Sequence, residues 1–313
     1  MNDNKRGIYL VVSGMMVFSV QDVLIKLLSE DASLFQILFF RSVIGMLIIA
    51  SYLKVSGQVV RFGTAYPVLS IIRGLLFFFG YSAFYFAQSK MPIANATVLF
   101  LVSPFFITIM SIFIFRSSVG IQRWATMVVG FSGVVFIAQP EIGHFNLFYL
   151  LPVSVAFVYG ISIMIAKYTA DKDTVFQQII VMYMTTAVLS GTLGLVMGDG
   201  RFDSPELAGI QFITQAWKLD ELLIHLGLVL LSVVGTIAFL LLNSAYRIAD
   251  PATISPFEYS ALLPAICWGY IFWDNIPSIN EAIGMILIVG SGIFLFYREK
   301  VLDQTNASEL PLR

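Results

Sequence analysis

Charge is the scarcest resource in this chain. Of its 313 residues only 12% are Asp, Glu, Lys or Arg, about half the roughly 25% of an average soluble protein. So few charges cannot coat a soluble domain of this size, which excludes an ordinary soluble enzyme. The 18 basic and 19 acidic residues nearly cancel, leaving a net charge of -1, so no global positive field exists to attract nucleic acid. A single cysteine, Cys267, rules out an intramolecular disulfide; lying in an apolar run, it is expected as a small buried packing residue. The two histidines, His144 and His225, stand far apart and belong to no metal-ligand spacing. A Walker loop and a GxSxG elbow are also missing, and Gly198-Asp199-Gly200 reads as a polar turn. Neither a metal nor a cofactor is therefore expected.

What the chain has instead is apolar length. Hydrophobic residues make up 58% of it, and its mean hydropathy is +0.87. A bilayer core takes about 20 apolar residues per helix, and ten such segments follow one another: 7–28, 34–53, 66–87, 93–115 and 121–139, then 147–168, 175–197, 222–245, 252–272 and 279–297. The expected fold class is an all-α polytopic membrane protein. Most connections are short, as antiparallel neighbours require. The exception is 198–221, rich in Asp, Gly and Pro, in which Leu207–Trp217 reads either as a short interfacial helix or as a loop. Lys5 and Arg6 precede the first apolar run, but Gln21, Asp22 and Lys26 interrupt it and no small-residue cleavage site follows. It reads as a retained first span rather than a signal peptide. With the N-terminus inside, twelve basic residues fall on the cytoplasmic side and only Lys90, Arg201 and Lys218 outside, so both termini are expected in the cytoplasm.

The halves echo each other. Residues 18–36 align with 159–177 without a gap at an offset of 141, placing Lys26 on Lys167 and Gln36 on Gln177. At an offset of 155, Gly80, Phe84, Ile93 and Ala94 fall on Gly235, Phe239, Ile248 and Ala249. Five spans per half is an odd number, so the second half enters the membrane from the opposite side. The expected organisation is two inverted five-helix repeats, 7–139 and 147–297, around a central cavity, the arrangement many secondary transporters use for alternating access. The first, third, fourth, sixth, eighth and ninth spans are expected to build that cavity. Pro104, Pro256 and Pro264 each remove a helix hydrogen bond; they read either as kinks beside the cavity, where freed carbonyls are re-satisfied, or as ordinary packing kinks.

Charges left inside spans cost at least about 2.5–3.5 kcal/mol each on insertion scales. They are Asp22, Lys26, Arg41, Arg73 and Glu258. Equal depths, estimated at about 1.5 Å per residue, suggest two acid–base pairs: Asp22 with Arg41, and Arg73 with Glu258. Lys26, one turn after Asp22, either pairs with it or snorkels to the interface. Each arginine is either a permanent structural partner or an anion-holding fork, and Glu258 either a fixed partner or a proton-coupling carboxyl. Three positive against two negative groups lean toward an anionic or zwitterionic substrate. Tyr81, Tyr159 and Tyr259, with Phe77 and Phe84, read either as core or as walls for a planar or cationic group.

These residues resemble the drug/metabolite transporter superfamily, specifically its EamA branch of ten-helix transporters. The resemblance runs from about Gly7 to Glu299. It is carried by Phe40-Arg41, Arg73-Gly74, Met91-Pro92-Ile93-Ala94, Ser103-Pro104, Pro256-Phe257-Glu258-Tyr259, Gly269-Tyr270-Ile271-Phe272 and the Gly284/Gly290 pattern of the last span. It implies two inverted bundles in a bacterial inner membrane, moving amino acids, organic anions, vitamins, nucleoside derivatives or amines, inward or outward. The expectation is thus a secondary transporter of a small polar organic metabolite, with protons as candidate coupling ions and the lipid bilayer as its solvent. The alternative within transport is a carrier of a cationic, quaternary-amine or aromatic metabolite in an aromatic cage. The alternatives outside it are a membrane-embedded enzyme or a non-transporting sensor. Monomer and homodimer are both compatible with the sequence.

Overall fold

The computed structural model describes residues 3–117, 119–138, 148, 150–204, 209–274 and, with gaps, 278–297. The expected boundary between the halves, 140–146, lies outside the described residues. Every regular element described is helical. The first three are α1 (Asp3–Leu28), α2 (Leu34–Val55) and α3 (Pro67–Lys90), followed by α4 (Ile93–Phe100), α5 (Ser103–Phe115) and α6 (Ile121–Ala138). Then come α7 (Leu150–Tyr168), α8 (Val175–Met197), the short α9 (Gln211–Thr214) and α10 (Leu222–Ile248). The ninth apolar stretch is broken into α11 (Pro251–Ile254), a 3-10 segment (Ser255–Ala261) and α12 (Leu262–Trp273). Residues described between 279 and 297 are helical as well. Taking Ile93–Phe115 as one unit, seven helices among the described residues are long and apolar enough to cross a membrane.

Sequence explains where helices start and break. Thr174 opens α8 with a reciprocal cap: its hydroxyl accepts from the Gln177 backbone N–H at 3.2 Å while the Gln177 side-chain Oε1 accepts from the Thr174 backbone N–H at 2.9 Å. The fourth stretch breaks at Leu101–Val102 because Pro104, in the first turn of α5, has no N–H with which to continue the ladder. Pro256 plays the same part at the start of the 3-10 segment, and Pro264 is the third residue of α12, within its first turn. The fourth and ninth stretches also end alike, at Arg116 (φ 54°) and Asp274 (φ 52°), both in the left-handed conformation that closes a helix.

Helix α1 packs along the full length of α10, antiparallel to it. A side chain at Gly7 would meet Ala249, one at Gly14 would meet Leu242, one at Gly235 would meet Gln21, and one at Gly227 would meet Leu28. The contact positions on α1 recur every seven residues, with the glycine on α1 over the first half of the contact and on α10 over the second, and small residues at such a seam are what close approach in lipid requires. Helix α7 packs on α3 in the same antiparallel sense, with Gly80 against Val158 and Val155, and Arg73 reaching Ser162. Other contacts also come in exchanged pairs. Helix α10 packs on α2 as α3 packs on α8, and the 3-10 segment packs on α1 as α5 packs on α7.

Two lysines fasten opposite ends of the molecule. Lys26, near the end of α1, donates to the Met91 carbonyl at the end of α3 (3.0 Å) and lies 5.4 Å from the Trp273 ring. It therefore does not pair with Asp22, and its ammonium is spent on the end of a helix. At the matching position, Lys167 near the end of α7 donates to the Arg247 and Ala249 carbonyls at the end of α10, both at 2.9 Å. A cation at a helix C-terminus meets carbonyls with no partner of their own and the negative end of the helix dipole. The matching glutamines behave likewise. Gln36 binds the backbone of Lys218 in the loop before α10, and Gln177 donates to the Gly63 carbonyl in the loop before α3 (3.0 Å). In the long loop, Trp217 lies flat on Gly194 and Gly198, and the only regular helix described there is α9. Cys267 corrects the sequence reading, being exposed rather than packed.

Candidate functional site

Between the packed helices lies a cavity of about 810 Å³, counting the open space at its mouth. Its walls come from α1 (Phe18, Ser19, Gln21, Asp22), α3 (Phe77, Gly80, Tyr81, Phe84), α4 (Thr97, Phe100), α7 (Tyr159, Ser162), α10 (Phe239, Leu242) and the 3-10 segment (Ala261). These are the first, third, fourth, sixth, eighth and ninth segments. The wall is largely aromatic. Phe18 meets Phe239 edge-on at 6.1 Å, Phe84 meets Phe100 at 5.3 Å, and Phe100 meets Tyr159 at 5.2 Å.

Arg41 stands behind this wall, 1% exposed. Its guanidinium lies over the Tyr81 ring at 4.5 Å and near Phe77 at 5.3 Å, and Nη1 donates to the Tyr85 hydroxyl at 2.5 Å. Phe77, Tyr81 and Tyr85 are each four residues apart on α3, so one helical face supplies the aromatic seat. The expected Asp22–Arg41 ion pair does not form. Asp22 is half-buried on the cavity wall, with the amide of Gln88 as its polar neighbour and Arg41 acting on it only from farther away. Equal depth along two helices does not place the charges together, because the guanidinium is seated on the rings of α3 instead. Gly235 explains the remaining geometry: a Cβ there would lie 2.6 Å from Gln21 Oε1 and 3.0 Å from Arg41 Nε. The missing side chain is the space these two polar groups occupy.

The second expected pair is also absent. Arg73 is 2% exposed; its Nε donates to Ser162 Oγ at 3.2 Å and its Nη2 to Asn243 Oδ1. Glu258, fully buried, is held by three hydroxyls: Tyr246 and Tyr159 donate to Oε1 at 2.5 and 2.8 Å, and Ser103 donates to Oε2 at 2.9 Å. Hydroxyls from three separate segments thus replace one cation. Such an arrangement satisfies a carboxylate without fixing it in a permanent ion pair. Tyr159 is the link to the cavity, since its ring lines the wall while its hydroxyl binds Glu258.

Of the other singled-out residues, Tyr81 lies on the wall. Tyr259 does not. It is 1% exposed, clusters with Val98, Leu101 and Leu262, and its ring covers Gly130. Pro104, Pro256 and Pro264 are likewise absent from the wall; two of them place the helix breaks beside it, one segment back. Sequence reasoning missed Gln21, Gln88, Ser162, Asn243 and Tyr246. Asn243 and Gln88 interrupt apolar runs and carried a usable signal, whereas Tyr246 and Ser162 are ordinary residues for a membrane helix.

Membrane-length helices closing around an aromatic cavity, with polar groups at its edge, define a membrane transport protein. Comparison with known proteins makes the assignment specific. The model of the EamA-like transporter family matches residues 5–139 and again 146–297. The chain belongs to this family and is a multi-pass membrane transporter of a small molecule, not an enzyme. It is 25% identical to an S-adenosylmethionine uptake transporter of Rickettsia bellii, over 90% of each chain. It is 25% identical to the pseudopaline exporter CntI of Pseudomonas aeruginosa, over 95% of this chain and 98% of that one. To a riboflavin transporter of Vibrio cholerae it is 26% identical over 80% of this chain and 79% of the other. A crystal structure superposes with a TM-score of 0.70 at 17% identity, covering 92% of this chain and 94% of its own, and shows the shared fold.

Proposed function

We propose that this protein carries a small polar organic metabolite across a bacterial inner membrane by alternating access, with ten spans in two inverted repeats, 7–139 and 147–297, and both termini cytoplasmic. The observation that carries the reading is the make-up of the cavity, whose six contributing segments form three equivalent pairs across the two halves. The exchanged packing pattern, the antiparallel run of α1 on α10 and the matched lysine caps support the inversion. The twelve-to-three distribution of basic residues supports the orientation. Glu258 is the candidate proton-coupling group, because Tyr159 joins it directly to the cavity wall. Direction does not follow from kinship, since one relative is named for uptake and another for export.

The test is saturable flux in proteoliposomes, with bacterial metabolite extract loaded on one side and recovered from the other. Arg73→Ala and Glu258→Gln are expected to abolish flux while the protein still folds. Wild-type flux from both variants would remove these residues from the transport cycle. An empty-vesicle rate with wild-type protein would refute transport itself.

A further inference from the structure

The charge chemistry of the cavity wall differs from that of the membrane interior as a whole. Three cations and two acids lie within the spans, but only one of these five side chains, Asp22, lines the cavity. Arg41 is engaged with the Tyr81 ring and the Tyr85 hydroxyl. Arg73 is engaged by Ser162 and Asn243, Lys26 by a helix terminus, and Glu258 by its three hydroxyls. A molecule in the cavity therefore meets a single carboxyl directly, and no ion pair within 4 Å neutralises that carboxyl among the described residues. Arg41, the cation that acts on Asp22 from a distance, does not line the cavity, whereas the Tyr81 ring over which it sits does.

Around Asp22 the surface is ring upon ring, and Phe18, Phe84, Phe100, Tyr159 and Phe239 all contribute to it. Aromatic faces carry negative potential that attracts cations, the more so when water is excluded. The same faces repel a carboxylate or phosphate, for which the wall presents no guanidinium or ammonium donor.

We propose that the cavity selects substrates with a positive centre, an ammonium or sulfonium group, attached to an apolar or planar body. In the bound state Asp22 is the counter-ion and the rings enclose the cation's apolar flanks. This deepens the transporter reading and rests on it. It also turns the balance of charge drawn from sequence: an anionic substrate loses its receptor, and a zwitterion is held by its cationic end.

The test uses three probes of nearly one size with the purified full-length protein in detergent: phenyltrimethylammonium, its neutral isostere tert-butylbenzene, and benzoate. Ligand-induced thermal stabilisation, titrated to saturation, gives the affinities. Phenyltrimethylammonium is expected to bind at least about tenfold more tightly than either of the others. Asp22→Asn should erase that preference, and Asp22→Glu should restore most of it, which separates a lost charge from a damaged fold. Benzoate binding as tightly as the cation, tert-butylbenzene matching it, no binding by the cation, or an Asp22→Asn affinity equal to wild type would each overturn the proposal. Flux in proteoliposomes distinguishes the two readings. Saturable transport of a purely anionic metabolite would leave the transporter intact and the cation preference refuted. Cation binding without any flux would do the reverse.

Discussion

Replacing Tyr159 with Phe removes one oxygen and nothing else from the wall. The ring continues to line the cavity beside Phe100 at 5.2 Å, so the shape a substrate meets is preserved. What is lost is the 2.8 Å bond to Glu258 Oε1, leaving Tyr246 on that oxygen and Ser103 on the other. A hydrogen bond to an ionised group contributes about 1.5–3 kcal/mol. At roughly 2–4 °C per kcal/mol for a large domain, the variant should unfold several degrees below wild type. If the carboxyl is charged, the loss depends on that charge. In a Glu258→Gln background the same Tyr159→Phe change breaks a neutral bond, worth about 0.5–1.5 kcal/mol, and the four-cornered cycle should show a coupling of about 1 kcal/mol. Thermal unfolding in detergent, followed by intrinsic tryptophan fluorescence, measures all four proteins. Identical unfolding temperatures for wild type and Tyr159→Phe would refute the hydroxyl shell. Equal losses in both backgrounds would show that Glu258 is uncharged there.

Four further outcomes follow from the packing and the helix ends. Gly7→Ala puts a methyl 2.5 Å from the Ala249 Cβ, a neighbour too short to swing away, so a loss of about 1–3 kcal/mol is expected from overpacking. Gly80→Ala leaves 3.5 Å to Val158, and the same unfolding assay should find it neutral or up to about 1 kcal/mol stabilised by helix propensity. Lys167→Met breaks two carbonyl bonds and Lys26→Met one; the first should lower the unfolding temperature more, and a reversed order would contradict the capping assignment. Thr174→Ala should cost about 0.5–2 kcal/mol through loss of the α8 cap, seen as faster amide exchange over the first turn of that helix.

Much of the architecture was legible because the bilayer forces it into composition. Runs of apolar residues of the right length, broken by Gly198–Glu221 and by proline, translated directly into helices and their ends. The Lys26–Lys167 and Gln36–Gln177 matches also pointed to paired positions that make paired contacts. The charged interior was legible only as a set of residues. Depth along separate helices fixes neither the rotation of each helix nor which neighbour arrives first. Arg41 met three rings of α3 before it met Asp22, and Glu258 met hydroxyls from α5, α7 and α10 before it met Arg73. Tyr259 shows the same limit. A tyrosine beside an ionisable residue faces the opposite side of a tight 3-10 turn, where Gly130 leaves room for its ring.

The matched lysine and glutamine fastenings have an energetic meaning. Both sets are made in this structure, at the two ends of the molecule, and they consist of the same kinds of bonds. Under the inverted arrangement proposed above, opening either end breaks a comparable set, so these fastenings contribute little to a preference between the two facing states. A ligand shifts such an equilibrium only by its different affinity for the two states. Net direction then comes from outside the fold, from the concentration gradient of the substrate or of a coupled ion. On that proposed reading, the gradients across the membrane, and not the matched fastenings, set the direction of transport.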